Sequence, residues 1–363
     1  MRIIVRWSVV AILFCAISVA QPGRLYVGTY TNTNARSHGI YSAVFDSKTG
    51  KLSDITPAAA IANPSFLAQH PSRPFLYAVN EEREGSVSSF AIDSKGELKF
   101  LGKSSTGGAD PCHLIVDRSG KWLLAANYTG GNIAVMPILP NGEAGEAKVI
   151  PFRGSGPSAR QKGPHPHEIV EPDGNLILVS DLGADRIARY HFDPEDGTLA
   201  PADPAEIRLP PGSGPRHLAV TADGGRLYVL SELANTVTVF AKGSVTQIVA
   251  LLESQPEGTN TAAEIAIHPN GRYLYASVRG ADNIVVFAID PHTGMLRRTG
   301  AVPTGAGPRF FAIDASGNWL LAAGQASNTI TVFALDRATG TLRAQPHPAT
   351  VPAPVFIGAY RRR

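Results

Sequence analysis

The sequence predicts an all-β protein, a seven-bladed β-propeller with four-stranded antiparallel blades and a ring closed by its C-terminal strand. Three observations predict it: a repeated pattern of apolar strands and glycine turns, no sustained helical apolar period, and an incomplete first repeat. The pattern returns seven times along the 363-residue chain, at intervals of about 50 residues. Repeats of that length, each with about four short strands, are typical of a propeller.

Each repeat contains, in order, a strand that opens after Pro or Ala, a second apolar strand, and a third. The second strands read RLYVGTY, PFLYAVNE, KWLLAANY, NLILVSDL, RLYVLSEL, RYLYASVR and NWLLAAGQ. Third strands such as NTVTVFA and NTITVFAL follow, and several repeats continue through Asp-x-x-x-Gly into a weak fourth strand. No window favours an amphipathic helix, so we expect almost no helix.

The first repeat lacks its opening strand, because Arg24 begins the second strand of the pattern. The segment Pro354-Val355-Phe356-Ile357-Gly358 matches the opening strand of the other repeats. We therefore expect the C-terminus to supply the inner strand of blade 1, which removes an open sheet edge from the ring.

The N-terminus has the pattern of a secretory signal. A basic start precedes an apolar run, and the small residues Ser18 and Ala20 stand before a cleavage point at Gln21. We predict a signal peptide over residues 1–20, one domain over 21–363, and export to the periplasm or the medium. An uncleaved anchor is the alternative, but the apolar run is short for a membrane span. We expect no membrane association after cleavage.

Charge and cysteine content exclude a nucleic-acid-binding protein and a protein stabilised by internal disulfides. Removing Arg2 and Arg6 leaves 31 Lys and Arg against 30 acidic residues, so the net charge falls from +3 to +1. This is not the footprint of a nucleic-acid-binding protein. Only Cys112 remains after cleavage, so no internal disulfide can form.

Two registers of the repeat carry polar residues where a structural position takes Val, Ile or Leu. One register follows the strand-opening Pro or Ala and contains Ser65, Cys112, His167, Arg216, Ala263, Arg309 and Val355. The other ends the second strand and contains Tyr30, Glu81, Tyr128, Leu182, Glu232, Arg279 and Gln325. Buried polar groups are costly unless they are paired. Their concentration at one rim predicts a polar pocket at the mouth of the central channel.

Each of these residues also has a structural interpretation. Arg216 and Glu232 could form an ion pair that ties blades together, and His167 could be a satisfied strand-start histidine. A metal could bind His165 and His167 together with His113 and Glu264, but their spacing is not that of a common metal motif. We expect no metal and no cofactor.

The strings GPHPHEIV, GSGPRHLAV, LSELANTVTVF, AAEIAIHPNGRYLYASVRGADNIVVFAID and GPRFFAIDASGNWLLAAGQ resemble the seven-bladed lactonase propellers. That family includes the propeller-type 6-phosphogluconolactonases and the carboxy-cis,cis-muconate lactonizing enzymes. The resemblance implies a catalytic site at the channel mouth formed by His167, Arg216, Glu232 and Arg279. We expect substrate-binding residues beside it: Arg309, Gln325, Glu264, His217 and His113.

The resemblance implies a lactonase that hydrolyses a sugar-type lactone and is 6-phosphogluconolactonase-like. Glu232 or His167 could be the base, Arg216 could donate to the oxyanion, and Arg279 and Arg309 could bind a phosphate or carboxylate. We expect a small-molecule, anionic lactone as partner and a monomeric protein. The alternatives are a secreted, non-catalytic binding platform and an enzyme acting on another lactone. The insertion from Phe152 to Pro164 is expected to form a lid or rim loop.

Overall fold

A computed structural model describes residues 23–33, 36–254 and 257–359. The predicted signal peptide, residues 1–20, lies outside the described residues. Every regular element in the described part of the chain is a β-strand, as the sequence predicts. No helix of those residues is long and apolar enough to cross a membrane.

The strands form seven antiparallel sheets, one for each repeat. The first three blades contain β1 (Gly23–Thr29), β2 (Gly39–Asp46), β3 (Lys51–Ala60), β4 (Leu67–Gln69), β5 (Phe75–Asn80), β6 (Ser86–Ile92), β7 (Leu98–Ser105), β8 (Pro111–Val116), β9 (Trp122–Asn127), β10 (Asn132–Pro137) and β11 (Lys148–Pro151). Blades 4 and 5 contain β12 (Pro166–Val170), β13 (Leu176–Asp181), β14 (Arg186–Asp193), β15 (Thr198–Arg208), β16 (Pro215–Val220), β17 (Arg226–Ser231), β18 (Thr236–Ala241) and β19 (Ser244–Ala250). Blades 6 and 7 contain β20 (Thr261–Ile267), β21 (Tyr273–Arg279), β22 (Asn283–Ile289), β23 (Leu296–Pro303), β24 (Pro308–Ile313), β25 (Trp319–Gly324), β26 (Thr329–Leu335), β27 (Leu342–Ala344) and β28 (Ala349–Thr350).

The last strand, β29 (Pro354–Ala359), closes the ring. It pairs antiparallel with β1 and gives blade 1 the order β29-β1-β2-β3. The register places Tyr26 opposite Gly358 and Val27 opposite Ile357. The predicted closure by the C-terminal segment is therefore confirmed.

The core lies between neighbouring blades. Strand alternation turns one row of side chains toward each adjacent blade, so apolar clusters form at the blade junctions. Val27 and Ile357 of blade 1 pack in one cluster with Ile330 of blade 7, all fully or almost fully buried. The continuous ring of such junctions makes a rigid support for side chains that face the channel.

The recurrent Asp-x-x-x-Gly turn docks on an aromatic residue of the preceding blade. In blade 1 this turn contains Ser47 and Gly50, and the Trp319 indole N–H of blade 7 donates to the Ser47 carbonyl at 2.7 Å. Gly50 has φ +74°, and a Cβ there would meet the Trp319 ring at 2.3 Å. Glycine is therefore required at this turn by both backbone conformation and space.

The inner strands carry a bulge close to their opening residue. Pairing shifts between Pro111 and His113 in β8, and β16 and β24 shift at the corresponding positions, Pro215/His217 and Pro308/Phe310. A bulge turns two consecutive side chains to the same side of a strand. Each of these strands therefore directs two consecutive residues, such as Cys112 and His113 in β8, toward the channel. The two residues lie at different depths along it.

Candidate active site

A polar cavity of about 170 Å³ lies at one mouth of the channel. Every blade contributes to its wall, which consists of Tyr30, Glu81, Cys112, Tyr128, Arg160, His167, Glu232, Arg279 and Arg309. Eight of these nine residues belong to the two polar registers of the repeat. The ends of the second strands and the starts of the inner strands therefore meet around one space.

Glu232 is a buried carboxylate held by three arginines. Its Oε1 lies 2.6 Å from Arg160 Nη1, and its Oε2 lies 2.9 Å from Arg216 Nε and 3.0 Å from Arg279 Nη2. Burial raises the pKa of Glu232, but Arg279, Arg216 and Arg160 outweigh it and lower that pKa to about 2. Glu232 is thus ionised throughout the physiological pH range.

Arg216 and Arg279 differ in their access to the cavity. Arg216 lies behind Glu232 without lining the cavity; its Nη1 donates to the Ala263 carbonyl, and its contact with Glu232 is an ion pair without hydrogen-bond alignment. Arg279 lines the cavity, and its Nη2 also donates to the Ala262 carbonyl at 3.2 Å. Burial lowers the pKa of Arg279 to about 10, so its guanidinium remains charged at neutral pH.

His167 is the neutral acid–base group of the cavity. It is buried, and its Nδ1 has no hydrogen-bond partner in the described part of the chain. The ring stands edge-on to Tyr128, with centroids 5.7 Å apart. Burial, and then the charge of Arg216, lower the pKa of His167 well below its usual range. The imidazole is therefore neutral at neutral pH, and one of its ring nitrogens has a free lone pair that can accept a hydrogen bond.

Arg309 and Glu81 form the opposite wall. The Arg309 guanidinium lies 5.3 Å from the centre of the Tyr30 ring, and the Tyr30 hydroxyl donates to the Glu81 carboxylate at 2.8 Å. Arg309 Nη2 is 3.9 Å from Glu81 Oε1, beyond hydrogen-bond range. The Arg309 donors are thus less engaged by carboxylates than those of Arg279.

The formal charges around the cavity do not cancel. Four arginines, Arg160, Arg216, Arg279 and Arg309, surround two carboxylates, Glu81 and Glu232, which leaves an excess of +2. His167 is neutral, and burial keeps the Cys112 thiol protonated by raising its pKa. A buried excess of positive charge favours the binding of an anion.

A second layer of side chains lies beneath the cavity. We call it the lower layer; its members each follow a residue of the inner-strand register, and they are Phe66, His113, Glu168, His217, Glu264, Phe310 and Phe356. On its polar side, His217 Nδ1 lies 3.0 Å from Glu264 Oε1. Burial raises the pKa of Glu264 to about 8 and lowers the pKa of His217 well below its usual range. The lower layer is therefore largely uncharged at neutral pH.

Four expected substrate-binding residues do not line the cavity. His113, His217 and Glu264 belong to the lower layer, because the inner-strand bulge separates them in depth from the register residues that precede them. Gln325 is partly exposed beyond the end of β25, where its backbone N–H donates to the Gly307 carbonyl at 3.0 Å. Arg309 is the fifth expected residue and does line the cavity.

Arg160 is the functional candidate that the registers do not contain. It lies on the 152–164 insertion, and its Nη2 donates to the Tyr128 hydroxyl at 3.1 Å. The next residue, Gln161, is fully buried and donates to the Leu182 carbonyl at 2.9 Å and to Asp185 Oδ1 at 2.7 Å. The insertion is thus anchored beside the cavity. Its length and its basic residues are the sequence features that could indicate a functional side chain there.

Other features of the described residues are less suited to catalysis. A larger, open recess of about 510 Å³ adjoins Phe66 and His113, but its walls are mainly aliphatic and aromatic. No group of three or more His, Cys, Asp or Glu in the described ranges is arranged to hold a metal ion.

Comparison with known proteins identifies close likenesses over nearly the whole chain. The family model "Lactonase, 7-bladed beta-propeller" matches residues 24–358. The 6-phosphogluconolactonase of Bacillus subtilis is 33% identical over 300 residues, which is 80% of this chain and 84% of that protein. The 6-phosphogluconolactonase of Formosa agariphila is 34% identical over 309 residues, covering 80% and 86%.

Solved structures of lactonases are also similar to this chain. A putative 6-phosphogluconolactonase from Bacteroides fragilis superposes with a TM-score of 0.88 at 37% identity, covering 95% of this chain and 99% of that one. The periplasmic gluconolactonase of Pseudomonas aeruginosa also has a TM-score of 0.88, at 32% identity, covering 94% and 99%.

Proposed function

The chain belongs to the seven-bladed β-propeller lactonase family, and from this premise we infer that it hydrolyses a sugar-type lactone in the cavity at the channel mouth. The observation that carries the inference is the composition of that cavity. A neutral imidazole, whose Nδ1 has no hydrogen-bond partner in the described ranges, lies beside ionised guanidinium groups. Hydrolysis of a carboxylic ester needs a proton acceptor for water and donors for the oxyanion, and these groups supply both.

We assign the general base to His167 rather than Glu232. Both groups are deprotonated at neutral pH, but a proton on Glu232 would leave the buried Arg216 and Arg279 without their counter-charge. Glu232 Oε2 stays paired with these two arginines, whereas His167 Nδ1 has no hydrogen-bond partner among the described residues. Glu232 then has a different task, which is to fix the guanidinium groups of Arg216 and Arg279.

The reaction proceeds by attack of water on the lactone carbonyl. His167 accepts one water proton as the carbon–oxygen bond forms, and Arg279 donates to the carbonyl oxygen as negative charge develops there. The tetrahedral intermediate collapses, the ring carbon–oxygen bond breaks, and the ring oxygen takes the proton from the His167 imidazolium. The product is an open-chain hydroxy acid, and the imidazole returns to its neutral form.

The preferred substrate is an anionic, phosphorylated sugar lactone. The excess formal charge of +2 around the cavity matches a phosphate dianion. Arg309 is the best placed of the inner arginines to bind it, since its only carboxylate contact among the described residues is the 3.9 Å approach to Glu81. The relatives named 6-phosphogluconolactonase agree with this choice.

A neutral gluconolactone is the second candidate substrate. Residues 1–20 have the pattern of an export signal, and one similar structure is a periplasmic gluconolactonase. Phosphorylated sugar lactones are expected mainly in the cytoplasm, so export favours the neutral lactone, whereas the charge of the cavity favours the phosphorylated one and decides the preference given above. We propose that the protein is exported and acts as a monomer.

The test is hydrolysis of 6-phosphoglucono-δ-lactone and glucono-δ-lactone by the purified protein, with spontaneous hydrolysis subtracted. The proposal predicts turnover of the phosphorylated lactone with the lower KM. Faster turnover of the neutral lactone would favour the second candidate. Binding of either lactone without turnover would instead indicate a non-catalytic binding platform.

A further inference from the structure

Arg160 differs from the other arginines of the cavity in its exposure. Its side chain is 46% exposed, compared with 19% for Arg279, 17% for Arg309 and 2% for Arg216. Glu232, which it contacts, is only 4% exposed. Arg160 therefore lies over the carboxylate on the solvent side of the cavity.

The two oxygens of Glu232 are held unequally. Oε2 contacts two inner arginines, Arg216 and Arg279, whereas Arg160 is the one cation on Oε1 among the residues that the structure describes. If Arg160 turned away, Glu232 would still be paired with two cations. Because leaving a buried charge unpaired is the costly outcome, this arrangement makes the Arg160 contact the one that can be exchanged cheaply.

The backbone next to Arg160 does not need to move for this exchange. Gln161 is held by buried hydrogen bonds, and the ring of His165, further along the insertion, stacks on Tyr128 with centroids 4.5 Å apart. The long Arg160 side chain can therefore change partners while its Cα stays in place. Its five guanidinium donors suit a phosphate or carboxylate as well as Glu232.

We propose that Arg160 is a substrate-binding residue that exchanges Glu232 for the anionic group of the incoming lactone. The inference rests on the proposed function and adds a specificity-determining residue to it. In the free protein Arg160 pairs with Glu232; in the complex it binds the phosphate group, opposite Arg309. Discrimination between anionic and neutral lactones then depends on Arg160 as well as on Arg309.

The test compares Arg160→Ala, Arg160→Lys and the control Arg153→Ala with the wild-type protein on both lactones. Arg153 lies on the same insertion, is exposed and does not line the cavity. Loss of a charged hydrogen bond predicts that Arg160→Ala raises KM for the phosphorylated lactone by about tenfold or more. KM for the neutral lactone should change by less than about twofold, Arg160→Lys should recover part of the loss, and Arg153→Ala should resemble wild type.

Inhibition by inorganic phosphate gives a second readout, since Arg160→Ala should weaken phosphate inhibition of neutral-lactone hydrolysis about as much as it raises KM. Equal effects of Arg160→Ala on both lactones, or none, would overturn the inference and leave the lactonase function standing. A wild-type protein that hydrolyses neither lactone would instead overturn the proposed function.

Discussion

Arg216 and Glu232 form a buried ion pair within blade 5, with 2.9 Å between Arg216 Nε and Glu232 Oε2. The pair joins the start of the inner strand β16 to the residue that follows β17. The same Glu232 oxygen contacts Arg279 of blade 6 at 3.0 Å. One carboxylate therefore has a structural task, tying two blades together, and a functional one, fixing the guanidinium group that faces the substrate.

Replacing Glu232 by Gln should strongly destabilise the fold. The change leaves Arg216 and Arg279 buried without their counter-charge, a loss of about 3–5 kcal/mol in the free energy of unfolding. Added phosphate should restore part of it, because an anion can replace the missing carboxylate. Thermal unfolding with and without phosphate measures both effects, with the exposed Glu84→Gln as control. Equal melting temperatures for Glu232→Gln and wild type would contradict this account.

Replacement of Arg309 by Ala and replacement of Arg279 by Ala should change different kinetic constants. Arg309→Ala should raise KM for the phosphorylated lactone by about tenfold or more, with little change for the neutral lactone. Arg279→Ala should lower kcat on both lactones by about 10²-fold or more, because it removes an oxyanion donor. Steady-state kinetics of both variants on both substrates separate the two roles. The assignment is wrong if Arg279→Ala affects only the KM of the anionic lactone.

Glu264 should make the stability of the fold fall as pH rises. Its pKa is raised from 4.5 to about 8 by burial, so the folded state retains a proton that the unfolded chain loses in this interval. The stabilisation is complete below the unfolded pKa and is lost as pH rises through the folded pKa. Glu264→Gln mimics the protonated acid and cannot ionise. The melting temperature of Glu264→Gln should therefore rise relative to that of wild type as the pH increases from about 5 to about 9.

Calorimetry over that range checks the prediction. Glu84→Gln removes an exposed carboxylate and should follow the wild-type curve. A constant difference between Glu264→Gln and wild type at all pH values would mean that Glu264 is ionised in the folded protein.

The blade count, the ring closure and most of the cavity wall could be predicted from sequence. The repeat aligns distant blades, so the polar residues Tyr30, His167 and Arg309 could be recognised as members of common registers. Strand ends are fixed by turns, and equivalent strand ends in a closed ring must face the same channel mouth.

The depth of individual side chains along the central channel could not be predicted from sequence. A regular strand alternates its side chains, whereas the inner-strand bulge directs both Cys112 and His113 toward the channel. The sequence contains no strong signal for that bulge, so it predicts His113, His217 and Glu264 at the cavity, whereas the structure places them in the lower layer. The position of Arg160 cannot be predicted for another reason, because it depends on how Gln161 anchors an irregular insertion.

The central claim, that His167 is the base of a lactonase site, is tested most directly by the kcat of His167→Gln on the preferred lactone. The exposed His191→Gln is the matched control. We predict a fall in kcat of about 10²–10⁴-fold for His167→Gln with the fold intact, and none for His191→Gln. Unchanged kcat in His167→Gln would contradict the account and return the role of base to Glu232.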